Sequence, residues 1–265
     1  VERGRAKSTR ASCDMLAFLG FLVMGCALGF IGGLFGIGGG IITIPILGVI
    51  FGYSQQLAQG TILILVIPTA GVGLFQYLRR VRIDWRIVIA LGITALPATY
   101  VLSRVATLLP STALRYAFIV FLVLLAAFVG RRAWMLGKRP PREQLGLPFA
   151  WLLGLACGCV SGLFTVGGSI FSTPMLTEFF AQPQIVAQAS SLAFTIPSVL
   201  ISLVVYAMAG DVNWAVGIPL AIGGMSTASL GVAAAHRLPE RRLRFLFVAF
   251  ILVCAIALFM QARRL

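Results

Sequence analysis

Charge is scarce in this chain, and acid is scarcer than base. Only 11% of the 265 residues are charged, with 7 Asp and Glu against 21 Lys and Arg, and there is a single histidine. Soluble domains carry about 25% charged residues. With 60% hydrophobic residues and a mean hydropathy of +1.02, the chain holds more apolar surface than a water-soluble fold of this length can bury. The natural solvent for that excess is lipid. The shortage of acid and histidine also removes chemistry. There is no Ser-His-Asp set, no His-Glu-x-x-His and no paired intramembrane Asp, which argues against an enzyme. No Gly-x-x-x-x-Gly-Lys-Ser/Thr motif is present, so direct driving by ATP is not expected. The five cysteines (Cys13, Cys26, Cys157, Cys159 and Cys254) lie in or beside apolar runs without a zinc-binding spacing. No metal or cofactor is expected. Cys157-x-Cys159 reads as small-residue helix packing in preference to contact with a sulfur compound.

The basic residues are grouped. They fall at Arg79-Arg80-Val81-Arg82, between Arg131 and Arg142, and from Arg237 to Arg244, in the short gaps between apolar runs. Such grouping orients a membrane protein, with basic loops on the cytoplasmic side. It does not call for nucleic acid, and it is compatible with attraction to anionic lipid or to an anionic solute.

Ten apolar segments are legible, at 14–34, 38–51, 57–78, 85–106, 112–130, 147–163, 167–180, 186–209, 214–235 and 243–262. Eight are long enough to cross a hydrocarbon core as helices, which takes roughly 20 residues. The segments beginning at Gly38 and Gly167 are too short. Each follows a glycine cluster and contains a proline, Pro45 or Pro174. They are expected to be half-helices, broken helices or re-entrant segments, a backbone tolerated at membrane depth only where protein or a wet cavity surrounds it. The first apolar run continues into a glycine-rich motif and reads as part of the fold, not as a cleavable signal.

The strongest feature is an internal repeat that sets Gly33 on Gly162 and keeps that offset through the chain. Gly33-Leu34-Phe35-Gly36-Ile37-Gly38-Gly39-Gly40-Ile41-Ile42-Thr43-Ile44-Pro45-Ile46-Leu47 matches Gly162-Leu163-Phe164-Thr165-Val166-Gly167-Gly168-Ser169-Ile170-Phe171-Ser172-Thr173-Pro174-Met175-Leu176. The register continues without a gap through Gln59/Gln188, Pro68/Pro197, Trp85/Trp214 and Arg115/Arg244, and 15 of the 36 positions from 33 to 68 are identical. Shared hydrophobicity explains matched leucines, but not matched Gly, Pro, Gln, Trp and Arg. The expected organisation is therefore an all-α integral membrane protein of two five-segment units, 14–130 and 147–262, joined by a basic cytoplasmic linker at 131–146.

Duplicated transporter units are either inverted or parallel. Arg79, Arg80, Arg82 and Arg86 follow segment 3, whereas the equivalent loop after segment 8 has only Asp211; the loops after segments 4 and 9 show the reverse bias. By the positive-inside rule this points to inverted units, with 13 basic residues inside and 8 outside. A parallel arrangement with both short segments re-entrant would place 15 inside and 6 outside. The loop comparison favours the inverted arrangement, the raw count the parallel one.

The candidate site follows from the repeat. Gly36, Gly38, Gly39 and Gly40 precede one half-helix, and Gly167, Gly168 and Ser169 precede the other. Glycines permit tight turns and close backbone approach, and the following N–H groups sit at a helix N-terminus, where the dipole favours an anion. Two such ends near the midplane would bind an anion without a buried Lys or Arg. Thr43, Ser172 and Thr173 lie within about a helical turn of the glycines, and Gln59, Thr61, Gln188, Ser190 and Ser191 stand early in segments 3 and 8. Neutral donors suit an anion that must bind and also leave. The competing reading is packing, which better fits the Gly25/Gly29/Gly33 spacing. Glu178 is the clearest intramembrane carboxylate and the candidate for proton coupling. His236 reads as an interfacial residue.

The doubled Gly-Gly…Pro motif at 33–47 and 162–176, with Ala58-Gln59 and Ala187-Gln188, resembles the TauE/SafE family, also called the toluene sulfonate uptake permease or sulfite exporter family. The resemblance covers nearly the whole chain. It implies a multi-pass permease of the bacterial inner membrane for sulfite, sulfoacetate, sulfonates or related small anions. Thr165 and Ser169 depart from the glycines at 36 and 40, so the two half-sites are not expected to be equivalent. A secondary transporter alternating access around a midplane anion site is the reading carried forward, with a passive anion channel or a carrier of non-sulfur organic anions as alternatives. The oligomeric state is not legible.

Overall fold

Among the described residues the ten apolar segments form ten helices in chain order: α1 (Glu2–Phe35), α2 (Gly40–Phe51), α3 (Gln55–Leu78), α4 (Trp85–Leu108), α5 (Ser111–Trp134), α6 (Leu147–Phe164), α7 (Ser169–Phe179), α8 (Gln184–Met208), α9 (Trp214–Arg237) and α10 (Glu240–Ala262). They belong to a computed structural model that describes residues 2–36, 39–134, 147–165 and 168–262. Gly38, Gly167 and the linker from 135 to 146 lie outside the described residues.

Helix starts obey the local chemistry. Asp84 caps α4 by accepting from the Arg86 amide, and Asn213, its repeat equivalent, caps α9 by accepting from Val216. The first residues of α2 through α5 are the repeat equivalents of the first residues of α7 through α10. α2 and α7 are short, with 12 and 11 residues and an internal proline each, as the sequence indicates. Among the described residues, six of the eight long spans expected are long and apolar enough to cross a membrane, and the apolar stretches Pro148–Phe164 and Phe245–Met260 are shorter.

Glycine contacts fix helix directions. Gly25, Gly29 and Gly33 of α1 face Leu220, Gly224 and Ala228 of α9 in ascending order, so close that a Cβ would strike the opposing backbone. These helices run parallel. Gly154, Gly158 and Gly162 of α6 face Leu91, Ala95 and Thr99 of α4 in the same manner. α3 also runs parallel to α9, with Gly60 beside Asp211 and Thr69 beside Gly224. Between α3 and α8 the order reverses: Gly73 meets Leu192, Tyr77 bonds to Gln188, and Tyr206 bonds to Gln59. These two helices are antiparallel.

The directions collect the charge. The end of α3, the start of α4, the start of α6 and the end of α9 share one end of the bundle, so the Arg79–Arg86 loop lies with Arg237. Asp211 lies at the other end, where the Asn213 amide side chain donates to the Tyr53 hydroxyl at 2.8 Å. The flanks are apolar and exposed, as at Ile89, Val120 and Val204, each more than half exposed, while hydroxyls and amides turn inward. That inside-out polarity is the arrangement lipid demands.

The close glycine contacts generate a test. Gly29→Val and Gly158→Val should each destabilise by at least the ~1–3 kcal/mol typical of overpacking, because the obstacle is backbone that cannot rotate away. Gly92 has no neighbour within 4 Å, and Gly92→Ala should instead stabilise by about 0.5–1 kcal/mol. Thermal unfolding in detergent distinguishes them; equal midpoints for all three would contradict the packing.

Candidate functional site

The turn between α1 and α2 needs left-handed backbone. Gly36 (φ 68°) and Gly39 (φ 82°) supply it, and Gly39 rests against the Leu28 carbonyl, so α2 begins about two helical turns back from the end of α1. The equivalent turn between α6 and α7 uses Gly168 (φ 63°), beside the Cys157 carbonyl, and Thr165 (φ 53°) in place of Gly36. A β-branched residue in this region is strained, at roughly 1–3 kcal/mol. Its hydroxyl donates to the Phe164 carbonyl at 2.8 Å.

A narrow cleft of about 20 Å³ runs along α7. One wall is polar, with Ser169, Thr173 and Thr177 at four-residue spacing on α7, joined by Glu178, Gln184 and Gln188; the other is apolar, with Phe35, Phe128, Val129, Leu243 and Phe247. Its Glu178–Gln184 end lies at the basic end of the bundle, and Ser169 lies deep. Thr173 bonds to the Ser191 hydroxyl at 3.0 Å, and Thr177 donates to the Pro174 carbonyl at 2.9 Å. The Ser169 hydroxyl, 1% exposed, has no hydrogen-bond partner among the described residues. Gly168 places no side-chain cap on α7. Ser161, also without a hydroxyl partner among the described residues, has its Cβ near Gly168. Uncapped N–H groups and unpaired hydroxyls at one helix start form a donor-rich pocket, and donors call for an anion.

In the other half the equivalents of Ser169, Thr173, Thr177 and Glu178 are Gly40, Ile44, Gly48 and Val49. The groove there, lined by Pro45, Ile46, Val49, Ile50 and Phe250 among others, is apolar. The polar ladder belongs to one half only.

Two hydrogen bonds cross between α3 and α8 at equivalent positions. The Tyr77 hydroxyl donates to Gln188 Oε1, and the Tyr206 hydroxyl donates to Gln59 Oε1, both at 2.9 Å. All four residues are buried. The amide nitrogens differ. Gln188 Nε2 donates to the Phe35 carbonyl at 3.1 Å, whereas Gln59 Nε2 has no partner among the described residues.

The cleft thus gathers Ser169, Thr173 and Gln188, and Ser191 is bonded to its wall. Thr43 is buried and donates to the Gly39 carbonyl, Ser172 donates to the Ser169 carbonyl, and Thr61 accepts from the Asn213 amide; none of the three lines the cleft. Ser190 is buried without a hydroxyl partner among the described residues. Glu178 lies at the cleft mouth. His236 is half-buried, donates from Nδ1 to the Val232 carbonyl and packs its ring 5.4 Å from that of Tyr77. The sequence reading missed Tyr77 and Tyr206, although they match at the repeat offset. It also missed Thr177 and Gln184, although Thr177 continues the four-residue ladder.

This architecture is that of a multi-pass helical membrane protein with buried polar residues, some of which line an internal cleft. Residues 21–258 match the family model described as sulfite exporter TauE/SafE, and the chain belongs to that family of membrane transporters. Similar proteins include a probable membrane transporter protein of Methanocaldococcus jannaschii, 33% identical over 58% of this chain and 60% of that protein. The chain therefore spans less than two thirds of that relative's length. Two probable membrane transporter proteins of Bacillus subtilis, YunE and YjnA, are 24% and 27% identical over 85% and 89% of this chain and 91% and 98% of their own lengths. No solved structure matches.

The crossed tyrosine–glutamine bonds are testable by a double-mutant cycle. Tyr77→Phe strands a buried acceptor and should cost about 1–3 kcal/mol. Adding Gln188→Leu should recover part of that loss, giving a coupling of roughly 0.5–3 kcal/mol in thermal unfolding. Strict additivity would mean the bond contributes nothing.

Proposed function

We propose that the protein is a secondary transporter for a small sulfur-containing oxyanion such as sulfite, sulfoacetate or another organosulfonate, working by alternating access in a bacterial inner membrane. The observation that carries this reading is the unpaired, buried Ser169 hydroxyl at the uncapped start of α7, deep in a cleft. An unmade hydrogen bond of a buried group costs about 1–3 kcal/mol, and an oxyanion supplies acceptors for several donors at once. No Lys or Arg lines the cleft among the described residues, so release does not require breaking a buried ion pair.

The units 14–130 and 147–262 are inverted in this reading, related by an axis in the membrane plane. The antiparallel course of the equivalent helices α3 and α8 supports it, as does the Arg79–Arg86 loop lying with Arg237 at one end, which we assign to the cytoplasm, while Arg104, Arg115 and the basic start of α1 lie at the other. The cleft draws its lining from α1, α5, α7, α8 and α10 and none from α2 or α3. Glu178, at its mouth, is the proton-coupling group.

Both assignments are tested on purified protein and in proteoliposomes. Sulfite, thiosulfate, sulfoacetate, taurine, sulfate and lactate are screened for thermal stabilisation. Ser169→Ala should weaken binding of the stabilising anion about tenfold, since a bond to a charged group is worth about 1.5–3 kcal/mol. Glu178→Gln should retain binding and lose uphill accumulation. No stabilisation by any anion would overturn the transport reading, and full accumulation by Glu178→Gln would remove the carboxylate from coupling.

A further inference from the structure

The two glutamines on the matched Ala-Gln motifs sit in nearly identical frames, each accepting from a tyrosine of the opposite half. Only one has its amide nitrogen occupied. The difference traces to one position in the repeat. In the first half, Gly36 leaves room for Gln188: a Cβ at residue 36 would stand 3.0 Å from Gln188 Cγ and 3.1 Å from its Cβ. With that space open, Gln188 Nε2 reaches the Phe35 carbonyl. In the second half the equivalent residue is Thr165, whose Cβ, if the repeat's geometry carries over, falls where Gln59 would need the room. Its hydroxyl also donates to the Phe164 carbonyl, the acceptor equivalent to the one Gln188 uses. Gln59 Nε2 is left without a partner among the described residues, in a side chain with 0% exposure.

Three features of Thr165 are costly unless they serve something. It is a β-branched residue held at φ 53°, where glycine would sit without strain. It stands where its repeat equivalent, Gly36, leaves room for a hydrogen bond that Gln188 makes and Gln59 does not. The unpaired Gln59 donor is buried in the core of a lipid-embedded fold, where water does not replace the missing partner.

We propose that Thr165 is a positioning residue that keeps the Gln59 amide free as a donor to the transported oxyanion, while Gln188 is a structural latch with no donor to offer. This rests on the anion-transport reading above and divides its labour. The half that has lost its polar ladder on α2 contributes the amide of Gln59; the half that has kept the ladder on α7 contributes Ser169 and the helix start. No residue of α3 lines the α7 cleft, so Gln59 receives the anion only in a conformation other than this one.

The experiment is anion affinity by thermal shift in detergent, with sulfite, thiosulfate and sulfoacetate as probes, alongside the unfolding midpoint without anion. Thr165→Gly should have two opposed effects. Its unliganded midpoint should rise, because glycine relieves the strained backbone and Gln59 closes onto the Phe164 carbonyl. Its anion affinity should fall about tenfold, matching Gln59→Leu. Thr165→Ser, which keeps both the Cβ and the hydroxyl, should retain wild-type affinity, and Gln188→Leu should lower the midpoint more than the affinity. A purely structural threonine would move stability and affinity together. Wild-type affinity in a folded Thr165→Gly overturns the positioning role, and wild-type affinity in Gln59→Leu overturns the donor role even if the glycine variant does not fold. A wild-type protein that no probe stabilises fails the transport reading itself.

Discussion

In hydrocarbon a buried amide must find its partner inside the protein. That constraint organises this molecule. The chain places glutamine, threonine and serine where a soluble protein would let water answer them, and most such groups are answered by a carbonyl, a hydroxyl or a backbone amide. Tyr77 and Tyr206 answer the two glutamines across the α3–α8 contact, and those bonds tie one half of the chain to the other at its centre. Glycine makes the remaining helix contacts close enough to exclude lipid, at Gly25, Gly29 and Gly33 against α9 and at Gly154, Gly158 and Gly162 against α4. Against that background the exceptions carry meaning. Ser161, Ser169, Ser190 and the Gln59 amide are among the buried groups left unanswered by the described residues. Ser161 and Ser169 flank the start of α7, while Gln59 is the repeat equivalent of the glutamine that reaches the other broken-helix turn.

Duplication followed by divergence accounts for the asymmetry. Equivalent helices, caps and tyrosine–glutamine pairs survive in one unbroken register, so the frame is shared. The polar content is not. α7 keeps Ser169, Thr173 and Thr177 where α2 has Gly40, Ile44 and Gly48, and Glu178 stands where α2 has Val49. In the proposed alternating-access reading the two halves need a common frame, but the substrate needs only one set of donors along the path. The strain at Thr165 lies at the point where the two requirements meet.

Much of the frame was legible in the sequence. The glycine clusters and Pro45 and Pro174 marked the short helices, and the repeat register placed the helix starts. The helices' relative directions were only half legible, because loop charge comparison and total charge count pulled in opposite senses; the antiparallel contact of Tyr77 with Gln188 is a tertiary fact. The departure of Thr165 from the glycine pattern was visible, but its consequence was not, since that depends on how closely Gln188, far away in the chain, packs against Gly36. The same holds for Gln188, which looked equal to Gln59 until the Phe35 carbonyl was seen to occupy its amide. Local composition names groups able to bind a substrate; only packing decides which of them are already spent.

The central claim is that equivalent halves of this chain face opposite sides of the membrane. Arg82 and Asp211 are equivalent positions of the repeat, in the loops after α3 and α8. Single cysteines at these positions, on a background in which the native cysteines are replaced, can be labelled with a membrane-impermeant maleimide in intact cells and in inside-out vesicles. Inverted halves predict that Asp211→Cys reacts only from the outer face and Arg82→Cys only from the cytoplasmic face. Labelling of both from the same face would contradict the claim.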